Sequence, residues 1–563
     1  MSWLELCKNT KGSSLFLFLF FFVVVQILYH PLVDSGFVTD FTGLLERFEN
    51  AQAVDILNSF GFPALQPVLN FFLYYFYQLF GIWGLPWYLI YSMVFTLNAF
   101  LLYLLMKEIG TQFHLQNASL PAFFAALLFI ISPYQVEVLF WKVLFNFLAV
   151  TSFILLALLL TANYVKVSTP KYLLGIHICF LLGLFTFELA LMLPLFTAVY
   201  IGILFLEQRD IQQLKYLFFR LLLPQFVMIV AWVILTKIVV GSYIGHYGAS
   251  THLQFDFYKV VGTFLKYVSK HFAFLRYLRV DDDAFYAQLE QPTVVFGFLF
   301  VLFGLTGLAV KKWKNIRPEW KLMILTFLWS GIALLPVLNL YFQTSLAIEN
   351  DRYGYLAWAF FASFFVLLLY QFFPRYLFVS FFLVYAGFHI HFNQKTIHWI
   401  AQSTKIQYKL LKDFDYHEHS EIYLLGFVEN LKGAYIFRDF TKDNRAFVDA
   451  LKYIKRDAPR SKIYEVAQFN MVNPKDSLKA TIDSVGRIQL TFAQWGNWWW
   501  RGGIGASSYE TEKLKVEVKD LMLYITLKNP TEDALFLYQV GDHWQELKYQ
   551  NPLPYRKIRP GPD

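Results

Sequence analysis

Leu15-Phe-Leu-Phe-Leu-Phe-Phe-Phe-Val-Val-Val-Gln-Ile-Leu28 follows Lys8 and Lys11 and holds no charge. Extended to residue 31, this run falls in the range of about 17–25 apolar residues that a helix needs to cross a bilayer. It resembles a signal peptide, but no small-x-small cleavage pattern follows it. It therefore reads as an uncleaved first span with a cytoplasmic N-terminus.

The same reading places further spans near 85–106, 120–134, 140–162, 172–186, 188–206, 219–240, 292–311, 321–341, 353–372 and 375–393, eleven in all. Residues 67–80 are apolar and aromatic, but Pro63 and Pro67 precede them closely, so they read as an interfacial helix. Composition agrees: 57% of the 563 residues are hydrophobic and only 16% are charged, against roughly 25% charged in soluble domains. The net charge of +8 is not a nucleic-acid signature, because the basic residues sit mostly in loops between apolar runs. Cys7 and Cys179 cannot build a disulfide framework.

Basic loops set the orientation. Lys166 and Lys171 fall in one loop, Arg209, Lys215 and Arg220 around another, and Lys311, Lys312, Lys314, Arg317 and Lys321 in a third. All three are cytoplasmic if the N-terminus is, as the positive-inside rule requires. The long loops 32–66 and 241–291 then face outward. Residues 1–393 form the transmembrane domain, 394–414 a linker, and 415–563 a soluble, mixed or β-rich extracytoplasmic domain. That last expectation rests on frequent charges and on period-2 alternation at 514–518 and 521–527. Asn529-Pro530 marks a turn, and 447–455 a short amphipathic helix.

Candidate functional residues cluster on the outer side. Asp34 and Asp40 lie in the first outer loop, where a carboxylate is either a solvated loop charge or a general base for an acceptor hydroxyl. Glu137 and Glu188 interrupt hydrophobic stretches, and ionisable residues at membrane depth usually face a cavity or pair with one another. Glu349, Asp351, Arg352 and Tyr353 head the tenth span, and Arg352 either binds a phosphate or anchors the interface. Asp281-Asp282-Asp283 could hold a divalent ion, but a hydrated loop cluster explains it as well. The histidines show no metal-ligand spacing, and Trp495, Trp498, Trp499 and Trp500 fit either sugar stacking or packing. No cofactor is indicated, a divalent metal stays open, and no nucleotide-binding loop is present.

Five segments in order resemble the GT-C membrane glycosyltransferases, in particular the O-mannosyltransferases that carry tetratricopeptide repeats and their bacterial relatives. Phe37-Val-Thr-Asp40 is similar to that family's Phe-Val-Tyr-Asp-Asp. Phe80-Gly81-Ile82 with Leu97-Asn98-Ala99-Phe-Leu-Leu-Tyr103 resembles Phe-Gly-Leu and Leu-Asn-Ala-Leu-Leu-x-Tyr. Ser132-Pro133-Tyr-Gln-Val-Glu137-Val-Leu-Phe-Trp141 resembles His-Pro-x-His-x-Glu-x-Val-x-Trp, and Thr186-Phe187-Glu188 with Leu193-Pro194 resembles Ser-Lys-Glu with Leu-Pro. Leu334-Leu335-Pro336-Val337-Leu338-Asn339 with Glu349-Asn-Asp351-Arg352-Tyr353-Gly-Tyr355 resembles the closing Leu-Leu-Pro-x-x-Asn and Glu-Arg-Tyr-Leu-Tyr pattern. The resemblance implies an inverting transfer of a sugar from a polyprenyl-phosphate carrier to a protein, glycan or lipid acceptor. Asp40 would be the base and Arg352 the phosphate contact, with Glu137 and Glu188 lining the cavity.

Departures are Phe41 for the second Asp, Phe187 for the Lys, Leu144-Phe145 and Phe147 for a Gly-Arg and an Asp, and Tyr88 for a His. The tetratricopeptide repeats are absent, so mannose and a Ser/Thr acceptor do not follow. A transporter or lipid-linked sugar flippase, and a lipid-diphosphate polysaccharide polymerase or ligase, are the competing readings. The expected location is a bacterial inner membrane, with the site and the C-terminal domain in the periplasm.

Overall fold

The computed structural model describes residues 12–38, 40–57, 64–243, 256–278, 282–338, 348, 350–416, 418–437, 445–492, 498–499, 507–519 and 522–549. The chain divides into two compact units: Met1–Gly36 with Arg47–His398, and Phe37–Glu46 with Trp399–Asp563.

The first unit is a bundle of apolar helices. Among the described residues nine are long and apolar enough to cross a membrane: Ser14–Leu32, Gly84–Gln112, Lys142–Val167, Glu188–Gln208, Ile211–Val240, Pro292–Lys311, Pro318–Val337, Asp351–Phe372 and Arg375–Lys412. A tenth is the bent pair Ser119–Ile131 and Pro133–Phe140, and the eleventh expected segment is the shorter apolar helix Pro170–Leu184. The chain is an integral, multi-pass membrane protein. Pro67–Phe80 is helical, as its Pro-headed aromatic run predicts. The span expected over 321–341 starts earlier, because Pro318 supplies the fixed φ of a first helical turn, and its helical turns end at Val337.

Residues 394–414, the expected linker, are mostly helical. They belong almost wholly to one 38-residue helix, Arg375–Lys412. Their polar composition suggested a loop, but no Gly or Pro interrupts 388–412, and Gln, Lys, Ile and Thr continue a helix at little cost.

Polar side chains tie the helices where lipid offers no hydrogen bonds. Asn98 Nδ2 donates to Leu148 O and Tyr355 Oη, each at 3.0 Å, and Ser152 Oγ donates to Asn98 Oδ1 at 2.6 Å. Asn393 Nδ2 donates to Tyr29 Oη and to Ser132 O. The Ser132 carbonyl closes a helix, and besides a long contact from the Gln135 N–H at 3.4 Å it takes this amide as its donor.

The second unit holds two sheets. In chain order the strands are β1 Glu421–Leu431, β2 Ala434–Tyr435, β3 Lys462–Glu465, β4 Gln468–Met471, β5 Lys479–Ile482, β6 Ile488–Thr491, β7 Trp498–Trp499, β8 Ser508–Glu510, β9 Leu514–Lys519, β10 Met522–Leu527, β11 Leu535–Val540 and β12 His543–Glu546. The larger sheet runs β12-β11-β1-β4-β7, with β2 and β3 also on β1, and the smaller runs β5-β6-β10-β9-β8. β1 is buried at all eleven positions and pairs in parallel with β3, β4 and β11. A strand covered on both faces carries a continuous apolar run. Glu465 Oε1 caps the Ala446–Ala450 helix by accepting from the Phe447 and Val448 N–H groups at 3.0 Å each. The alternating segment 514–518 lies in β9 and residues 522–527 of the second form β10, and the two strands pair antiparallel; residue 521 lies outside the described residues.

Two predictions follow from local chemistry. Gly36 has φ +96°, and a Cβ there would lie 1.5 Å from the Phe140 carbonyl oxygen. Gly36→Ala is expected to lower the melting temperature of the detergent-solubilised protein, whereas Gly43→Ala, with nothing within 4 Å, leaves it unchanged. In the second unit the Ser420 hydroxyl and N–H both donate to Asp533, holding its carboxyl down at about 2. A depressed folded-state pKa stabilises above the ordinary Asp value of about 3.9 and is lost as pH falls through the folded value. The Tm gap between wild type and Asp533→Asn should therefore shrink between about pH 4 and pH 2.

Candidate functional site

Three helices of the first unit begin at short irregular turns, and each turn carries an acid. At the first, Ser132 precedes Pro133 and is driven out of the α region, with ψ 135°. The helix Ser119–Ile131 stops there, bends by 62°, and restarts so that Val136–Phe140 presents Glu137. At the second, Phe187 is extended and Glu188–Met192 forms a 3-10 turn before Pro194 starts the next helix. At the third, Asn350 is left-handed with φ 69°, and the 3-10 turn Asp351–Gly354 leads into Tyr355–Phe372. Irregular backbone at such depth is tolerated where protein covers it, and positions 132–142 are all buried.

Adjacent residues 351 and 352 reach to different partners. Glu137 is wholly buried; its Oε2 accepts from the Arg352 backbone N–H and its Oε1 from Arg352 Nη1, both at 2.6 Å. The Arg352 guanidinium lies 5.2 Å from the Trp141 ring centre and 4.6 Å from that of Tyr353, and its Nη2 donates to Tyr353 Oη at 3.3 Å. Asp351, 1% exposed, takes the Arg276 fork at 2.8 and 2.5 Å and Lys270 Nζ at 2.5 Å. Arg276 in turn sits 5.0 Å from the Tyr134 ring centre. Three cations and two carboxylates are thereby packed among aromatic rings.

Electrostatics follow burial and pairing. Burial lowers the Lys270 pKa, against the opposing pull of Asp351. Burial also works against charge on Arg276, but the Asp351 carboxylate outweighs it and holds that pKa above its ordinary value. Burial pushes the His271 imidazole well below its ordinary pKa. His271 Nε2 would lie 2.7 Å from a Cβ at position 354, which is why that position is Gly354.

The other expected residues fall as follows. Glu188 Oε2 accepts from Gln66 Nε2 at 3.2 Å. Asp34 is exposed beside Gly84, where its Oδ1 would lie 2.9 Å from an added Cβ, and its charge acts on buried Lys142. Tyr353 is half-buried beside Arg352. Asp40, exposed, is the first residue of the helix Asp40–Asn50 and belongs to the second unit. Glu349, Asp281, Trp495 and Trp500 lie outside the described residues, while Asp282 and Asp283 open the helix Asp282–Gln288 and Trp498 and Trp499 form β7. No group of three metal-ligating side chains occurs among the described residues. Sequence reasoning missed Lys270 and Arg276, whose only signal was a Lys and an Arg set among tyrosines in the 241–291 loop. It also missed Gln66.

The ion cluster and the basic loops occupy opposite ends of the same helices. Lys142–Val167 runs from the Trp141 turn to Lys166, which pairs with Glu108 at 3.2 Å. Lys321 pairs with Glu207 at 2.6 Å, and Trp313 Nε1 donates to the same carboxylate. Pro318–Val337 starts at that basic end.

No protein-family model and no curated protein matches the chain. Among solved structures it is similar to the Archaeoglobus fulgidus oligosaccharyltransferase in complex with Zn and sulfate, at 10% identity and a TM-score of 0.37 over 78% of this chain. The chain spans 62% of that enzyme's length. It is also similar to ArnT from Cupriavidus metallidurans bound to undecaprenyl phosphate, at 13% identity and a TM-score of 0.35, over 93% of this chain and 100% of that one. Apo ArnT gives 14% identity and 0.32, over 79% and 89%. These likenesses are distant, and the functional reading rests on the chain's own residues.

Removing Asp351 strands two buried cations. Asp351→Ala is expected to destabilise the protein by about 3–5 kcal/mol, as for other buried pairs broken on one side. Glu108→Ala, which breaks a pair with a half-exposed lysine, should cost under about 1 kcal/mol. Thermal unfolding in one detergent compares them; equal losses would contradict the buried pairing.

Proposed function

We propose that this chain is a GT-C-type glycosyltransferase that moves a sugar from a polyprenyl-phosphate carrier to an acceptor hydroxyl, with inversion at the anomeric carbon. The observation that carries this reading is the Arg352 guanidinium, fixed at the head of an apolar helix by two hydrogen bonds from its own residue to Glu137. A cation oriented at the end of a membrane helix suits an anionic headgroup whose tail remains in lipid. Planar donor forks suit phosphate better than a point charge does.

In the reaction the base removes the acceptor's hydroxyl proton and the acceptor oxygen bonds to the anomeric carbon. The bond from that carbon to the phosphate oxygen breaks, and the lipid phosphate leaves with the electron pair and a second negative charge. Charge grows on the phosphate in the transition state, where a preoriented cation is most effective. The role of base is assigned to Asp40 and that of phosphate contact to Arg352. The side is assigned from the basic loops: they lie at the helix ends opposite the ion cluster, and the positive-inside rule makes those ends cytoplasmic. The cluster is then extracytoplasmic, which supports a carrier presented on the outer leaflet.

The test is acceptor-dependent release of undecaprenyl phosphate from undecaprenyl-phosphate-linked sugars by the purified protein in nanodiscs. Asp40→Asn should slow release by about 100-fold or more, the usual worth of general-base catalysis. Arg352→Lys should lose about 10-fold or more, because one ammonium replaces a two-pronged donor. A wild type without acceptor-dependent release, or an Asp40→Asn variant at wild-type rate, overturns the assignment.

A further inference from the structure

Of the three acids at helix heads, Glu188 alone has no cation against it among the described residues. Glu137 holds Arg352, and Asp351 holds Lys270 and Arg276. Glu188 receives one amide hydrogen bond, from Gln66 Nε2 to Oε2. The carboxyl also receives its own backbone N–H, and its other oxygen, Oε1, is buried without a further hydrogen-bond partner among the described residues. A buried carboxylate oxygen left unsatisfied is costly, and such an atom in a folded protein calls for a partner from outside the chain.

The surroundings indicate which partner. Phe187 stands 4.7 Å from Phe147, ring centre to ring centre, and Phe147 stands 6.2 Å from Tyr353, whose ring lies under the Arg352 guanidinium. Two ring-to-ring steps therefore lead from the residue beside Glu188 to the cation assigned to the phosphate. Phe187, Glu188, Arg352 and Tyr353 are each half-buried, and Phe147, buried between them, backs the two outer rings. An aromatic wall with a hydrogen-bond acceptor at one end and a guanidinium at the other matches a sugar joined to a phosphate. Its C–H face lies on the rings, and a hydroxyl on the far side needs an acceptor. The two phenylalanines stand where the resembling family has a Lys and an Asp, so the wall is a property of this chain.

We propose that Glu188 is the sugar-positioning residue: its Oε1 accepts a hydrogen bond from a hydroxyl of the carrier-bound sugar, while Gln66 holds the other oxygen. This rests on the glycosyltransferase reading and names the residue that recognises the donor's sugar rather than its phosphate. Glu188 takes no proton in the transfer and forms no bond to the anomeric carbon.

The experiment measures equilibrium binding to the full-length protein in nanodiscs, without acceptor. The probes are bare undecaprenyl phosphate, undecaprenyl-phosphate mannose and undecaprenyl-phosphate glucose. Wild type should bind at least one glycosylated lipid more tightly than the bare phosphate. The near-isosteric Glu188→Gln should lose about 10-fold of that preference, the worth of a hydrogen bond to a charged acceptor, and bind bare phosphate as wild type does. Gln66→Leu, which leaves the carboxylate in place, should lose part of the same preference and keeps the test open if Glu188→Gln does not fold. A wild type with no preference, an undiminished preference in both variants, or equal weakening towards all three lipids overturns the proposal. The two readings fail separately. Transfer that proceeds with Glu188→Gln unaltered in donor KM removes this inference alone. A Glu188-dependent sugar preference without any transfer removes the reaction and leaves the sugar site.

Discussion

A charge inside an apolar bundle must find its counter-charge within the protein, and that requirement organises the first unit. Arg352 and Asp351 are neighbours in sequence and opposite in sign, yet they do not satisfy one another. Each is turned to a distant element: Arg352 to Glu137, and Asp351 to Lys270 and Arg276. The consequence is mechanical as well as electrostatic. The 3-10 turn Asp351–Gly354 is pinned on one side to the bend after Pro133 and on the other to the helices Phe257–Ala273 and Leu275–Leu278. Because breaking either pair strands a buried charge, the guanidinium is held in one orientation.

Helix breaks supply the geometry that unbroken spans could not. A side chain in mid-helix points sideways at its neighbours, whereas one at a helix head can meet residues from several elements at once. Ser132-Pro133, Phe187 and Asn350 each precede a fresh helical turn and are themselves outside helical geometry: a residue before proline, an extended residue and a left-handed residue. Negative charge is also favoured at the positive end of a helix, which suits Glu137, Glu188 and Asp351 to these places. Among the described residues Glu188 differs from the other two in having no cation against it, the asymmetry on which its proposed role rests.

Much of the helical architecture was legible as hydropathy, since a run such as 15–28 admits few alternatives. The helix after Pro67 was legible from its prolines, and β9 and β10 from their alternation. What failed were judgements that needed tertiary context. The helix that runs through most of the expected linker, 394–414, was not legible, because polarity alone does not stop a helix when neither Gly nor Pro intervenes. Arg352 was visible as a candidate; its partner Glu137, 215 positions away, was visible only as another interrupted apolar stretch. Lys270 and Arg276 were invisible as partners because nothing local in a loop of mixed composition points to Asp351. The Gln66–Glu188 contact spans 122 positions and carries no sequence signal at all.

In the proposed reaction the Glu137–Arg352 pair holds a phosphate-recognising cation rather than only holding helices together. Replacing both members, Glu137→Gln with Arg352→Gln, removes the charges together and leaves neither stranded, so the fold should persist where a single replacement would not. The decisive measurement is the Kd of that double variant for bare undecaprenyl phosphate, beside its Tm. The expected result is a folded protein whose affinity falls about 10-fold or more, the loss that follows when a charge-assisted contact disappears. A folded double variant that binds the lipid phosphate as tightly as wild type would contradict it.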